Sequence, residues 1–272
     1  MIDCGSFEYA HARLQARHGE RPDEAAWRRI ETLREFAALL DVARTTGLRP
    51  WLVGIGADST AHQVEAILRG HWRARVGEVA AWLPAEWQAP VTWCCVLPDL
   101  ALLQHLARGG DPTAWMRDDS TWRELCAAPP QGREAALRAG PFAALALAWP
   151  APQTMAQVWR REWQRRLPHV PGDTGSGDTI GQSRGGDRDD TLGQLVRVLL
   201  EHDKVFAEAP PGQGWLLRSA LRTKLSLLLR RAALAPAAAF IHLTLCALEL
   251  ERLRAELLAR LLFRRGAHAG SA

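Results

Sequence analysis

The chain has 272 residues, of which 47% are hydrophobic and 24% charged, the composition of an ordinary globular protein with enough length for one or two cores. Its net charge of +4 is too modest to argue for a nucleic-acid binder, and it holds no run of about 18 apolar residues that could span a bilayer. Its five cysteines, Cys4, Cys94, Cys95, Cys126 and Cys246, are odd in number and form no CxxC, which speaks against a disulfide framework or a cysteine zinc site and fits a reducing, cytoplasmic setting.

The opening, MIDCGSFEYAHARLQ, has no basic region leading into an apolar core, so no secretory signal is expected. Residues 9–18 predict a first turn or two of helix. Pro22-Asp23-Glu24 is a strong helix start, and Trp27, Ile30, Leu33, Ala37 and Leu40 predict one long helix, stopped at Thr45-Thr46-Gly47 with Gly47 as a left-handed cap. Trp51 to Gly56 resembles a strand entering a glycine turn. Its Gly54-x-Gly56 lacks the third glycine of a dinucleotide fingerprint (Ser59 stands there), so a loop between helices is expected. Val64, Ile67, Leu68, Trp72, Val76, Val79 and Trp82 predict a helix over 60–82, closed by Pro84 and Pro90.

Val91 to Leu97 is a compact apolar run that fits a strand or a buried helical segment. Leu100, Leu103 and Leu106 continue at helical spacing to Gly109-Gly110. Asp118-Asp119 lacks the further ligands a metal would need and is read as a solvated helix start. Phe142 to Trp149 predicts a short buried helix. Thr154 to Leu167 predicts a basic helix in which Arg160, Arg161, Arg165 and Arg166 interleave with Trp159 and Trp163. That pattern could serve nucleic acid, but a solvated or partner-facing helix suits the modest total charge better. The twelve tryptophans are read as large packing residues.

Residues 168–191 are rich in Gly, Asp, Ser and Thr and predict a flexible linker or loop; they hold no P-loop. Helices follow over 192–206 and 216–234, the latter with Leu217, Leu221, Leu225 and Leu228 on one face, separated by Pro210-Pro211-Gly212. The last long stretch, Phe240 to Phe263, places Cys246, Leu250, Leu253, Leu257 and Leu261 on one helical face. Glu249, Arg252, Glu256 and Arg260 fall on the neighbouring face, and the tail after Gly266 is expected to fray. The fold class that emerges is all-α and multi-helix. Its expected organisation is a helical region over 1–167, the linker, a helical region over 192–265 and the tail.

No catalytic constellation is legible. The nine histidines, among them His62, His71, His105 and His242, form no ligand spacing such as HExxH, and there is no GxSxG. No cofactor, metal or catalytic residue is therefore assigned.

Tyr9-Ala10-His11-Ala12-Arg13-Leu14-Gln15-Ala16 resembles the opening Tyr-x-Asn-Ala-Arg-x-x-Ala of the C/d subunit family of V-type and A-type rotary ATPases. Tyr9, Ala12, Arg13 and Ala16 match, and His11 stands in place of asparagine. The closing helix is similar to that family's Glu-x-x-x-Leu-Arg core at Glu249, Leu253 and Arg254. It departs at His242 for a tyrosine, Ala247 for an acid and Arg252 for an asparagine. Members are built of three similar helical modules, so the resemblance implies pseudo-repeated modules. It also implies a non-catalytic subunit that links the central shaft to the membrane rotor ring in proton or sodium transport. Such a subunit is cytoplasmic, attached to the membrane through protein contacts, and binds no nucleic acid. Tyr9, Arg13, Glu249 and Arg254 become the candidate interaction residues, with charge reversal at the last two expected to weaken assembly and leave the fold intact. Two other classes stay open: a helical adaptor or regulatory protein, and an enzyme whose site assembles across distant segments.

Overall fold

The computed structural model describes residues 6–168, 190–210 and 212–268. Among these the chain is all-α, with no strand. In order the helices are α1 (Phe7–Gly19), α2 (Glu24–Thr32), α3 (Phe36–Arg44), α4 (Ala61–Ala81), α5 (Ala85–Thr92), α6 (Leu100–Ala107), α7 (Ala114–Asp118), α8 (Arg123–Ala127), α9 (Arg133–Ala139), α10 (Met155–Arg166), α11 (Asp190–Glu208), α12 (Gly214–Arg231) and α13 (Ala237–His268). From 169 to 189 the expected linker lies outside the described residues, as do Pro211 and the tail from 269. The chain divides into two compact units, each drawn from three separate segments.

The first unit comprises Met1–Glu20, Gly77–Val91 and Pro168–Arg252. Its α1 is longer than the turn or two expected, because both ends are well terminated. The Ser6 hydroxyl accepts from the Tyr9 N–H at 3.2 Å, Glu8 sits in the first turn, and Arg17 and His18 sit in the last. Arg17 also bonds Glu78 at 2.9 Å. Pro84 does not close α4 but heads α5, its carbonyl accepting from the Trp87 N–H. The Trp87 ring lies edge-on to Phe7 and to Phe240, with both centroid distances 6.4 Å. Leu221, Leu225 and Leu229 of α12 and Ile241, Leu243 and Leu245 of α13 are buried. Each such side chain adds about 1.5–3 kcal/mol of apolar burial.

The second unit comprises Arg21–Val76, Thr92–Leu167 and Leu253–Ala272. Here the expected single helix over 24–44 is two. Asp23 caps α2 by accepting from the Ala26 N–H at 2.7 Å, as its position predicts. The backbone then turns extended at Leu33 and again at Glu35 before α3 begins. No proline or glycine marks this break. What holds it is Arg260 of α13, whose guanidinium donates to the Leu33 carbonyl at 3.0 Å and to the Glu31 carbonyl at 2.9 Å. The stop at Thr45-Thr46 is as expected but its mechanism differs. The two hydroxyls donate to the Val42 and Ala43 carbonyls at 2.7 Å each, and Thr45 itself is right-handed. The left-handed glycines among the described residues are Gly54, Gly109 and Gly212, not Gly47.

Residues 51–56 form the expected loop: a short 3-10 turn over Arg49–Leu52 and then Gly54 at φ +84°. The run from Val91 to Leu97, where strand and helix were both open, is helical: it ends α5 and enters a 3-10 helix over Trp93–Asp99 with Pro98 inside it, and Ala143–Ala148 is another 3-10 helix. Their tight turns suit apolar runs too short and too interrupted for a full α-helix. Nine of the twelve tryptophans are buried as packing residues, Trp215 being the exposed exception, and several also satisfy their polar ends. Trp72 donates to the Cys94 carbonyl at 3.0 Å, and Trp93 and Trp159 donate to each other's carbonyls at 3.1 and 3.3 Å.

Candidate functional site

Tyr9 and Arg13 stand one turn apart on α1. The Arg13 guanidinium lies over the Tyr9 ring at 5.6 Å and over the Trp82 ring at 5.5 Å. Arg13 is exposed whereas Trp82 is buried. A cation held flat on aromatic surface in this way gains about 0.5–1 kcal/mol and is already ordered for a second contact.

The two closing candidates fare differently. Glu249 belongs to the first unit and is 8% exposed, so it offers no docking surface. Arg254 belongs to the second unit and is exposed, and its Nε donates to Glu65 at 2.7 Å.

That bond is one end of a line of six alternating charges: Arg254, Glu65, Arg69, Asp99, Arg73 and Asp119. After Arg254 and Glu65, the successive gaps are 3.8 Å from Glu65 to Arg69, 2.6 Å from Arg69 to Asp99, 3.6 Å from Asp99 to Arg73, and 2.7 Å from Arg73 to Asp119. Glu65, Arg69 and Arg73 follow at i,i+4 spacing on α4, which sets them on one face. Asp99 ends the 3-10 segment, and Asp119 follows α7. Arg69 also covers the Trp115 ring at 5.0 Å and donates to the Pro98 carbonyl at 2.7 Å.

Burial grades along this line. The side chain of Asp99 is 3% exposed and that of Arg254 46%. Burial raises the Asp99 carboxyl above its ordinary value, and the charges of Arg69 and Arg73 offset this only in part. The same burial lowers Arg69, which as an arginine still stays charged. At Asp119 burial again opposes the charge, but bonds from Arg73 and from the Thr121 N–H outweigh it and hold the carboxyl below its ordinary value. Asp119 is therefore an ion-pair residue and not the solvated helix start expected of Asp118-Asp119. Beside Arg73, burial pushes the Cys95 thiol up to about 11, and burial raises Cys94 further, so neither is a thiolate near neutral pH.

The other singled-out residues have local partners. His71 bonds the Val53 carbonyl at 2.8 Å, His105 the Asp111 carbonyl at 3.1 Å, and His242 lies 3.4 Å from the Cys246 sulfur. On α10, Trp159 and Trp163 stack on each other at 6.4 Å and Trp163 is buried. Arg166 covers Trp93 at 4.4 Å, and Arg165 pairs with Glu162 at 2.7 Å. The interleaved rings are thus part of the second unit's packing.

The least expected feature lies on α11 and α12. Six of the large apolar side chains that remain exposed among the described residues, Leu200, Val205, Phe206, Trp215, Leu216 and Leu227, fall on this pair; Leu216 is 73% exposed and Leu227 52%. A groove of about 470 Å³ runs between the two helices, lined by Val198, Leu227 and Leu228 and by Arg197, Lys224 and Arg231 among others. The leucine pattern of α12 gave the buried face but not this one, because the leucine stripe dominates the helix's periodicity. Leu216, Ala220, Thr223 and Leu227, spaced four, three and four apart, were the available signal for a second stripe.

Among the described residues no helix is long and apolar enough to cross a membrane, and no group of three or more His, Cys, Asp and Glu side chains is placed to hold a metal. No protein-family model matches the chain, and neither curated proteins nor solved structures show a match to it.

Proposed function

We propose that the chain is a non-catalytic helical docking protein and, in its finer form, a coupling component similar to the C/d family of the V-type and A-type rotary ATPases, joining central shaft to rotor ring. The single observation that carries the docking role is the concentration of exposed apolar side chains on α11 and α12. Contiguous apolar surface left in water marks a contact site more often than it marks idle surface. The cluster of Tyr9, Arg13 and Trp82 supports the finer form, since it gathers two residues of the family-like opening into one feature whose Arg13 is exposed. Aromatic and arginine side chains of this kind are the usual anchors of protein contacts.

The experiment is a tagged full-length chain expressed in its native host, extracted in mild detergent and analysed for bound proteins. Rotor-ring and central-shaft proteins of a rotary ATPase are the expected companions. Recovery of the chain as a lone monomer overturns the docking role. Recovery with other proteins and no ATPase component overturns only the finer form and leaves a helical adaptor.

A further inference from the structure

The groove between α11 and α12 has a composition that specifies what would fill it. On α11, Gln194, Val198, Glu201 and Val205 recur at spacings of four, three and four, and on α12 Leu216, Ala220, Thr223 and Leu227 do the same. Both helices thus turn a mixed, partly apolar stripe outward, with Val205 45% exposed and Leu227 52%. A two-helix surface with a free apolar stripe on each member is the geometry that receives the apolar face of a third helix. Each helix is about 27 Å long at 1.5 Å per residue, enough to run beside several turns of a partner.

Charge selects among partners. Helix α12 carries Arg218, Arg222, Lys224, Arg230 and Arg231 and no acidic residue. Two of these are engaged: Arg218 forms a two-pronged pair with Glu251 at 2.9 and 2.8 Å, and Arg222 has a contact of its own. Lys224 and Arg231, by contrast, are exposed at the groove. Lys224 meets Glu201 at 3.8 Å with both side chains more than half exposed, a pairing too wet to satisfy it. Around the apolar floor these two cations stand against one carboxylate, Glu201. We infer that this groove binds an acidic amphipathic helix of a partner protein, leucine-like side chains on Val198, Leu227 and Leu228 and carboxylates on Lys224 and Arg231. A flat anionic lipid surface fits less well, because it would extend past the groove onto exposed Glu208, seven positions from Glu201 on the same face of α11.

This inference rests on the docking role proposed above and names the kind of partner that the role requires. The test uses the full-length chain and two fluorescein-labelled synthetic helices with identical leucine faces, one with glutamate and one with lysine on the opposite face. Fluorescence anisotropy should show saturable binding of the glutamate helix. The double variant Lys224→Glu/Arg231→Glu should weaken it about tenfold or more, and Leu227→Ser should weaken it as well. All substituted positions are exposed, and circular dichroism melts of the variants should overlay those of the parent.

Equal binding of both helices, or variants that bind like the parent, overturns the inference. So does sedimentation with phosphatidylglycerol vesicles, lost in the same variants, while the glutamate helix fails to bind; the surface then belongs to lipid. If the groove binds the glutamate helix while no ATPase component is recovered from the host, the rotary assignment fails and the groove assignment stands. The opposite pair of results separates them the other way.

Discussion

Asp99 is the position where the fold should be most sensitive to a single atom group. Replacing it by alanine removes the carboxylate that lies 2.6 Å from Arg69 and 3.6 Å from Arg73, leaving two guanidiniums facing one another in a mostly buried space. Removing one partner of a buried pair costs about 3–5 kcal/mol, chiefly because the remaining charge is stranded. Here the lower end applies. Arg69 keeps the Pro98 carbonyl at 2.7 Å, and Arg73 keeps Asp119 at 2.7 Å, so neither guanidinium is left wholly without an acceptor. Asp99 makes no capping bond to α6, so no capping loss adds to the figure.

The same line of charges supplies the control. Arg254→Ala breaks the pair with Glu65, but Arg254 is 46% exposed, and ion pairs that wet contribute about 0–1 kcal/mol. Urea unfolding followed by far-UV circular dichroism should therefore place Asp99→Ala about 3 kcal/mol below the parent and Arg254→Ala within about 1 kcal/mol of it. If Arg254→Ala proves as costly as Asp99→Ala, burial does not grade the network and the reasoning fails.

Two further predictions follow from the second unit. Arg260→Ala removes the donors to the Leu33 and Glu31 carbonyls. It should cost about 1–2 kcal/mol and speed hydrogen exchange in the last turn of α2, while unchanged exchange there would show that the break holds itself. The two aspartates should also give opposite pH limbs. Asp119 is held below its ordinary 3.8, so its contribution is complete above 3.8 and is lost as pH falls through its lower folded value. Asp99 is raised, so its contribution is complete below 3.8 and declines as pH climbs from there through its folded value. Urea midpoints across this range should show Asp119→Asn flattening the limb below 3.8 and Asp99→Asn flattening the one above it. The same slope change in both variants would contradict the assignment.

Helical periodicity carried most of the fold. The apolar spacing over 60–82 and 240–263 is long and regular, and α4 and α13 appear where it placed them. The break at Leu33–Glu35 was not legible because its cause is Arg260, more than two hundred positions away in sequence. The network around Asp99 was half legible. Glu65, Arg69 and Arg73 are visible as an i,i+4 series, but nothing beside Pro98 announces that Asp99 folds against them. Of the four interaction candidates, Tyr9 and Arg13 sit together as their one-turn spacing implies. Glu249 went inward because α13 is packed over more of its circumference than a single apolar face requires: Ile241, Leu245, Glu249 and Leu253 recur every four residues and are all buried.

The pattern of these departures has a direction. Asp119, first read as solvated, Glu249, first read as an interaction residue, and Arg260, placed on the polar face of the closing helix, bond within their own units or lie buried there, whereas Leu216 and Leu227 of α12 face water. The inward charges need no partner from outside, since their bonds or their burial are already part of the fold. The outward leucines are different. Local consistency would have placed polar residues there, as it did at Ser219, Thr223 and Lys224 on the same side of the helix. An apolar face on a helix is ordinarily covered by a packed neighbour. The buried face of α12, at Leu221, Leu225 and Leu229, is already satisfied by its own unit. On the docking role proposed above, Leu216 and Leu227 are the residues of α12 that a partner would cover.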